Sequence, residues 1–213
     1  MTAPDKVLIL SGGIDSVTLL HEYASEVALA LTFDYGSNHA SNEIRWARYH
    51  AGLLGIPHKV IPADFIREDF KSSLLSGPEA IPTADYAPEN LRSTVVPFRN
   101  GIMLAIAAGY AESIGGTAVM MANHGGDHEL YPDCTPEFVE AMDRAIRAGT
   151  YGRIRLLAPY THLTKTEIVA IGKRLGIDYD TTWSCYKGGT KPCGRCATCR
   201  EREEALRANG LLK

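Results

Sequence analysis

The junction at residues 7–20, VLILSGGIDSVTLL, constrains the fold more than any other stretch. Four apolar β-formers reach a serine and two glycines, and the chain turns at once into helical spacing at Val17, Leu19, Leu20 and Tyr23. A continuous apolar run suits a parallel strand covered on both faces, because neither face then meets water. Residues 27–33 form a second such run. The alternation continues with a helix over 41–54 stopped by Gly55, a short strand near 59–61, and an alanine-rich helix over 100–114 that ends at Gly115 and Gly116. A strand over 118–121 follows, then a helix capped by Thr135 with Pro136 in its first position, a strand over 154–157, and TKTE at 164–167, a capping box opening a helix that ends at Gly176. Strands alternating with helices in this way predict a doubly wound, mostly parallel α/β sheet.

Two stretches break the rhythm. Residues 64–97 carry several prolines and little period, too much chain for a routine connection, so they are expected to pass over a ligand or into a partner subunit. Residues 123–134, NHGGDHELYPDC, are dense in polar side chains and leave the C-terminal end of a strand, where open α/β sheets bind ligands.

With 45% hydrophobic and 22% charged residues, the chain can bury one sizeable core. Its longest near-continuous apolar stretch, residues 101–111, is far shorter than the roughly 18 to 20 residues that cross a bilayer, and the start, MTAPDK, has no signal-peptide pattern. A cytoplasmic location with no membrane partner is the expectation. The net charge of −3 gives no general attraction for polyanions, although Lys187, Lys191, Arg195, Arg200, Arg202 and Arg207 gather near the end. A direct nucleic-acid partner is therefore not expected.

Cys134 stands alone, whereas Cys185, Cys193, Cys196 and Cys199 fall within one short segment, the last three as C-x2-C-x2-C. In a reducing compartment such a cluster points to metal before disulfides. Four thiolates can surround one ion, with Gly188, Gly189, Pro192 and Gly194 supplying the bends. Ligand chemistry alone admits zinc and an iron–sulfur cluster alike.

The loop SGGIDS, residues 11–16, places free backbone N–H groups and the positive end of a helix dipole where an anion can sit. Neither G-x-x-x-x-G-K-[ST] nor G-x-G-x-x-G is present. The plainer reading is a tight turn with Ser and Asp as caps. S-G-G-x-D-S in this context, however, resembles the signature of the PP-loop ATP pyrophosphatases, which grip the leaving pyrophosphate and transfer AMP to a substrate oxygen. That resemblance implies an adenine nucleotide alpha hydrolase-like (HUP) fold, ATP with Mg²⁺, a nucleotide site of Leu10, Ser11, Gly12, Gly13, Ile14, Asp15, Ser16, Phe33 and Asp34, and catalytic roles for Ser11, Asp15 and Ser16.

Taken with FDYG at 33–36, VPFRN at 96–100, YPDC at 131–134, TWSCYKGG at 182–189 and CGRCATC at 193–199, the loop resembles the 7-cyano-7-deazaguanine synthase (QueC) family over nearly the whole chain. The resemblance implies conversion of 7-carboxy-7-deazaguanine and ammonia to the nitrile at the expense of ATP, for queuosine and related nucleosides. It also implies a structural Zn²⁺ on the four cysteines, a homodimer, and Lys165 as a cation beside the phosphates. On residues alone Lys165 reads equally well as a solvated first-turn lysine. Arg99 and Asn100 would hold the base or its carboxylate, since arginine matches a carboxylate bidentately. Asp127, His128, Tyr131 and Asp133 from the polar loop would meet the guanine-like ring. The expected division is a PP-loop domain over residues 1–180 and a metal-binding segment with its C-terminal helix over 181–213.

The chain departs from the family pattern around this pocket. Phe98 stands where glycine is common in PxRN, Ser37-Asn38 follow FDYG in place of Gln-Arg, and residues 121–134 replace the commoner GVCETDFSGYPDC. Other readings are a synthase-like enzyme that conjugates an activated deazaguanine to a protein in antiviral defence, a tRNA-thiolating relative, and a zinc-binding adaptor without enzymatic activity.

Overall fold

The computed structural model describes residues 3–83, 91–127 and 130–212. Five strands, β1 (Lys6–Ile9), β2 (Val27–Asp34), β3 (His58–Pro62), β4 (Ala118–Met120) and β5 (Arg155–Leu157), form one sheet in the order β3-β2-β1-β4-β5. Every pairing is parallel. The order reverses between β1 and β4, so a crevice opens beyond their carboxyl ends.

Successive strand side chains point to opposite faces, which divides the core in two. On one face Val7, Leu29, Leu31, Val119 and Leu156 pack against α4 (Arg99–Ser113) through Met103, Leu104, Ala107 and Ala111, and against Ile146 of α5 (Pro136–Gly149). On the other, Leu8, Leu10, Ala30 and Met120 meet α1 (Ile14–Glu22), α2 (Ala40–Leu53), α6 (Lys165–Arg174) and α7 (Ala197–Ala208). The caps expected from the sequence are present: Thr135 accepts from the Phe138 amide at 3.2 Å, and Thr164 and Glu167 form the reciprocal box. Among the described residues no helix is long and apolar enough to cross a membrane.

The stretch at 64–97 is less irregular than its composition predicts. It opens with α3 (Asp64–Asp69), and residues 70–77 then fold back on the exit of β2. Asn38 donates from its backbone to Leu74 O at 2.8 Å and from its side chain to Ser73 O at 3.1 Å, and its Oδ1 accepts from Gly77 N at 2.9 Å. Leu74, Ile81 and Val96 enter the core, so the described part of this stretch is anchored packing around the turn at 35–38.

Between α1 and α2 a buried polar chain runs from His21 Nε2 to His50 Nδ1 at 2.9 Å, and from His50 Nε2 to Thr181 O at 3.0 Å. Burial and the neighbouring His50 push His21 down to about 4. The unfolded chain therefore takes up a proton near pH 6.5 that the folded chain refuses, so stability present above that pH is lost as pH falls towards 4. Because the ring is only partly buried, the loss is about 1 kcal/mol after screening. Thermal unfolding of wild type and His21→Gln between about pH 7 and pH 4 should show a shallower decline for the variant; parallel slopes would contradict the assignment.

Candidate active site

A cavity of about 220 Å³ lies at the carboxyl ends of β1, β2 and β4. Its floor is the SGGIDS loop. Ser11 Oγ and Ser16 Oγ are 3.0 Å apart, Ser16 Oγ accepts from Ser11 N at 3.1 Å, and Gly13 N donates to Ser11 Oγ at 3.3 Å. Among the described residues no side chain caps the start of α1, which leaves its first amides for a ligand. Gly12 has a φ of +79°, and a Cβ there would lie 2.4 Å from Glu43 O, so only glycine lets α2 close on the loop.

Lys165 is not a solvated lysine. The first turn of α6 aims it into the cavity, where Nζ meets Asp15 Oδ2 at 2.5 Å and Glu201 Oε2 at 3.7 Å. Burial opposes its charge, but Asp15, Glu201 and Asp127 outweigh burial and raise its pKa above the ordinary lysine value. Asp127 shows the converse: burial, with Asp15 and Glu201 close by, pushes its carboxyl up to about 7 against the pull of Lys165. His124 Nδ1 accepts from Gly126 N at 3.1 Å, which turns Nε2 towards Asp127 Oδ2 at 3.4 Å.

At the opposite wall Arg99 lines the cavity rather than solvent, and its guanidinium donates to Tyr35 Oη at 3.0 Å. Burial works against its charge, and Tyr35, Tyr186 and Asp133 more than offset it. Asn100 also lines the cavity, but its amides serve the fold: the backbone N donates to Asp133 Oδ2 at 2.8 Å and Nδ2 to Asp133 O at 3.1 Å. Phe98 precedes them in the left-handed region at φ +51°, its ring laid over Gly101.

Leu10, Ser11, Gly13, Ile14, Asp15, Ser16, Phe33, Arg99, Asn100, Asp127 and Lys165 share this one cavity. Four residues expected in the site do not line it. Gly12 lies beneath α2, and Asp34 Oδ1 accepts from Gly36 N at 3.1 Å. Asp133 holds the start of α4, and Tyr131 Oη bonds Thr94 at 3.0 Å and approaches Tyr186 Oη at 3.4 Å. His128 lies outside the described residues. The sequence reading missed Tyr35, His39, Glu43, Asn123, Trp183, Tyr186, Thr198 and Glu201, and gave His124 no site role, although all nine are wall residues. His39 and Glu43 were findable, four residues apart at the start of a helix that leaves a strand's carboxyl end.

Behind α7 the Sγ atoms of Cys185, Cys193, Cys196 and Cys199 lie within 4.8 Å of one another, and the pairs 193–199 and 185–196 are 4.0 Å apart. Metal–sulfur bonds of about 2.3 Å in a tetrahedron place sulfurs about 3.8 Å apart, so the quartet fits one ion. A four-iron cube, with each thiolate on its own iron, would spread them further. The amides of Arg195 and Cys196 donate to Cys193 Sγ at 3.4 and 3.3 Å, the outer support that a thiolate ligand needs.

A parallel sheet reversing at β1 and β4, with a helix-opening glycine loop that carries no lysine of its own, defines a PP-loop type nucleotide-binding α/β protein. The NMN synthetase of Francisella tularensis shares this fold at a TM-score of 0.53 and 16% identity, over 99% of this chain and 79% of that one. The family described as "Queuosine biosynthesis protein QueC" matches residues 5–210. Proteins named 7-cyano-7-deazaguanine synthase are 54% identical in Porphyromonas gingivalis (97% of this chain, 94% of the relative) and 49% identical in Desulfotalea psychrophila (95% and 94%). The chain belongs to the QueC family.

Proposed function

We infer that the protein is an ATP-dependent carbon–nitrogen ligase that converts 7-carboxy-7-deazaguanine and ammonia into 7-cyano-7-deazaguanine, the product that the names of its relatives give for them. The observation that carries this reading is the span of one cavity from the SGGIDS amides and Lys165 at one end to Arg99 at the other. Such a span brings a triphosphate and an acid together.

A carboxylate resists ammonia because its oxygen leaves poorly. Arg99 holds the acid, and the amides at the start of α1 with Ser11, Ser16 and Lys165 hold the two outer phosphoryl groups, so that the acid attacks the inner phosphorus and pyrophosphate leaves. Charge grows on phosphoryl oxygen in that step, and fixed donors on the cavity floor are placed to meet it. Asp15 Oδ1 is buried without a hydrogen-bond partner among the described residues and fits an Mg²⁺ carried in with ATP, which would neutralise phosphate charge. Ammonia displaces AMP to give the amide, and a second adenylation at the amide oxygen followed by loss of AMP yields the nitrile. Asp127 offers a carboxylate to the donor edge of the guanine-like ring. The buried sulfur quartet takes Zn²⁺ in a closed, structural role. In the same reading residues 1–180 form the ATP pyrophosphatase domain and residues 181–213 the metal-binding segment, and the protein works as a cytoplasmic homodimer without contacting nucleic acid.

The pure protein with ATP, Mg²⁺, ammonium and the carboxylated base should release free nitrile with AMP and pyrophosphate. ADP with orthophosphate alone would overturn the reading. A mass-shifted protein partner without free nitrile would favour the conjugating alternative.

A further inference from the structure

Where the phosphate loop meets the Arg99 wall, the first turn of α2 brings to the cavity a carboxylate that the adenylation chemistry above does not use. Glu43 abuts the loop through its backbone carbonyl, which lies against Gly12, and its charge bears on Tyr35, the phenol that accepts from Arg99. Its Oε1 is 3.5 Å from Nε2 of His39, another wall residue, so the side chain is turned to the cavity side of α2. The carboxylate therefore stands between the phosphate grip and the acid grip, beside the point where the acyl adenylate forms.

This carboxylate is open to the cavity. The side chain is 16% exposed, neither oxygen is sealed from water, and among the described residues it takes no hydrogen bond. No lysine or arginine among them pairs with it, and the basic group that comes near, the His39 ring, is charged only when protonated. A wall that must receive a triphosphate and an acid loses affinity for both through a bare negative charge, because like charges repel strongly where water is scarce. Such a charge serves a cation. One cation of the reaction is the Mg²⁺ of ATP, for which Asp15 Oδ1 is placed on the loop itself. The other is ammonium: ammonia has a basicity near that of a lysine side chain, so at neutral pH it is almost wholly protonated.

We propose that Glu43 is the ammonium site of the enzyme, an assignment that rests on the functional reading above. The carboxylate draws the ion in by charge and accepts hydrogen bonds from its N–H groups. Bound ligands that displace water raise a carboxyl and lower an ammonium, which narrows the gap that a proton must cross between them. Glu43 takes one proton, the freed lone pair forms the C–N bond at the acyl carbon, and the C–O bond to AMP breaks with its electron pair leaving on AMP. The attached nitrogen sheds one further proton to water, and Glu43 returns its own. The second adenylation and the loss of AMP that leaves the nitrile take up no ammonium, so Glu43 belongs to the first half of the sequence alone.

The two halves can be assayed apart. With the carboxylated base as substrate, Glu43→Gln should raise KM for ammonium about 30-fold or more, while KM for the base and for ATP, and ATP–pyrophosphate exchange, stay within about 3-fold. With the amide supplied in place of the acid, nitrile formation needs no ammonium and should also stay within about 3-fold. A role in the folding of α2 alone would depress every one of these rates together. An ammonium KM within about 3-fold of wild type, or loss of exchange and of amide turnover alongside the ammonium effect, would overturn the assignment. The side chain makes no hydrogen bond among the described residues, so the variant should melt as wild type does; if it does not, Glu43→Ala decides by the same readouts. Absence of exchange in wild type would instead defeat the functional reading itself.

Discussion

Lys165→Met is expected to cut pyrophosphate release from ATP and the carboxylated base by about 10²–10³, the loss typical of removing one fixed donor from developing transition-state charge. Nζ is the cation that α6 holds over the loop, and three carboxylates, Asp15, Glu201 and Asp127, keep it charged. When the triphosphate enters, its negative charge competes with theirs, so the ammonium is already desolvated and positioned at the moment of reaction. Folding should survive the substitution, because a buried carboxyl left without its cation takes up a proton instead of remaining charged. That escape has a pH signature. Asp127 already titrates at about 7 in the folded protein, against roughly 3.9 in the unfolded chain. The folded state then binds the extra proton, and stability falls as pH rises between those values. Without Lys165 the folded pKa moves higher, so the stability deficit of the variant should widen from about pH 6 to pH 8. A rate loss under about 10-fold, with the deficit flat over pH, would show that Lys165 serves the capping region of α6 alone.

How much of this was legible in the sequence depended on whether a residue's role was local. Residues 7–10 and 27–33 had to be covered strands because they are apolar but for Thr32, and they fall on β1 and β2 to within a residue. Thr164 and Glu167 satisfy each other within one turn, so their box could be read directly. The sulfur quartet needed only spacing. Asp133 and Tyr131 show the limit: a carboxylate or phenol in a polar loop suits a ligand and a helix start equally well, and only the approach of α4 decides that Asp133 caps Asn100. Glu201 gave no signal at all, since it enters the cavity only because α7 packs on α6.

That packing makes the metal site the second large effect. Cys196 is the N-cap of α7 and Cys199 lies in its first turn, so an ion held by the quartet would fix where the helix begins. From there Thr198 and Glu201 reach the cavity, and Arg202 ties α7 to Thr182 at 2.7 Å and to the Tyr179 carbonyl. Residues 190–195 are exposed apart from half-buried Cys193, and the nearest hold on them outside the cysteines is Asn42 Nδ2 on Gly189 O at 3.0 Å. Binding to a structural thiolate site contributes directly to folding, about 10–16 kcal/mol in isolated zinc peptides, and less here because the sheet core stands without it. Cys196→Ser should lose the ion and about 3–5 kcal/mol of stability, which at 2–4 °C per kcal/mol is about 10 °C in melting temperature. Nitrile formation should fall by about 10² or more, because Lys165 loses the partner that α7 supplies and the wall at Thr198 opens. Elemental analysis beside the melting curve checks the order of cause. Loss of the ion with an unshifted melting temperature in Cys196→Ser would mean that the helix holds its place without the metal and that Glu201 reaches Lys165 by packing alone.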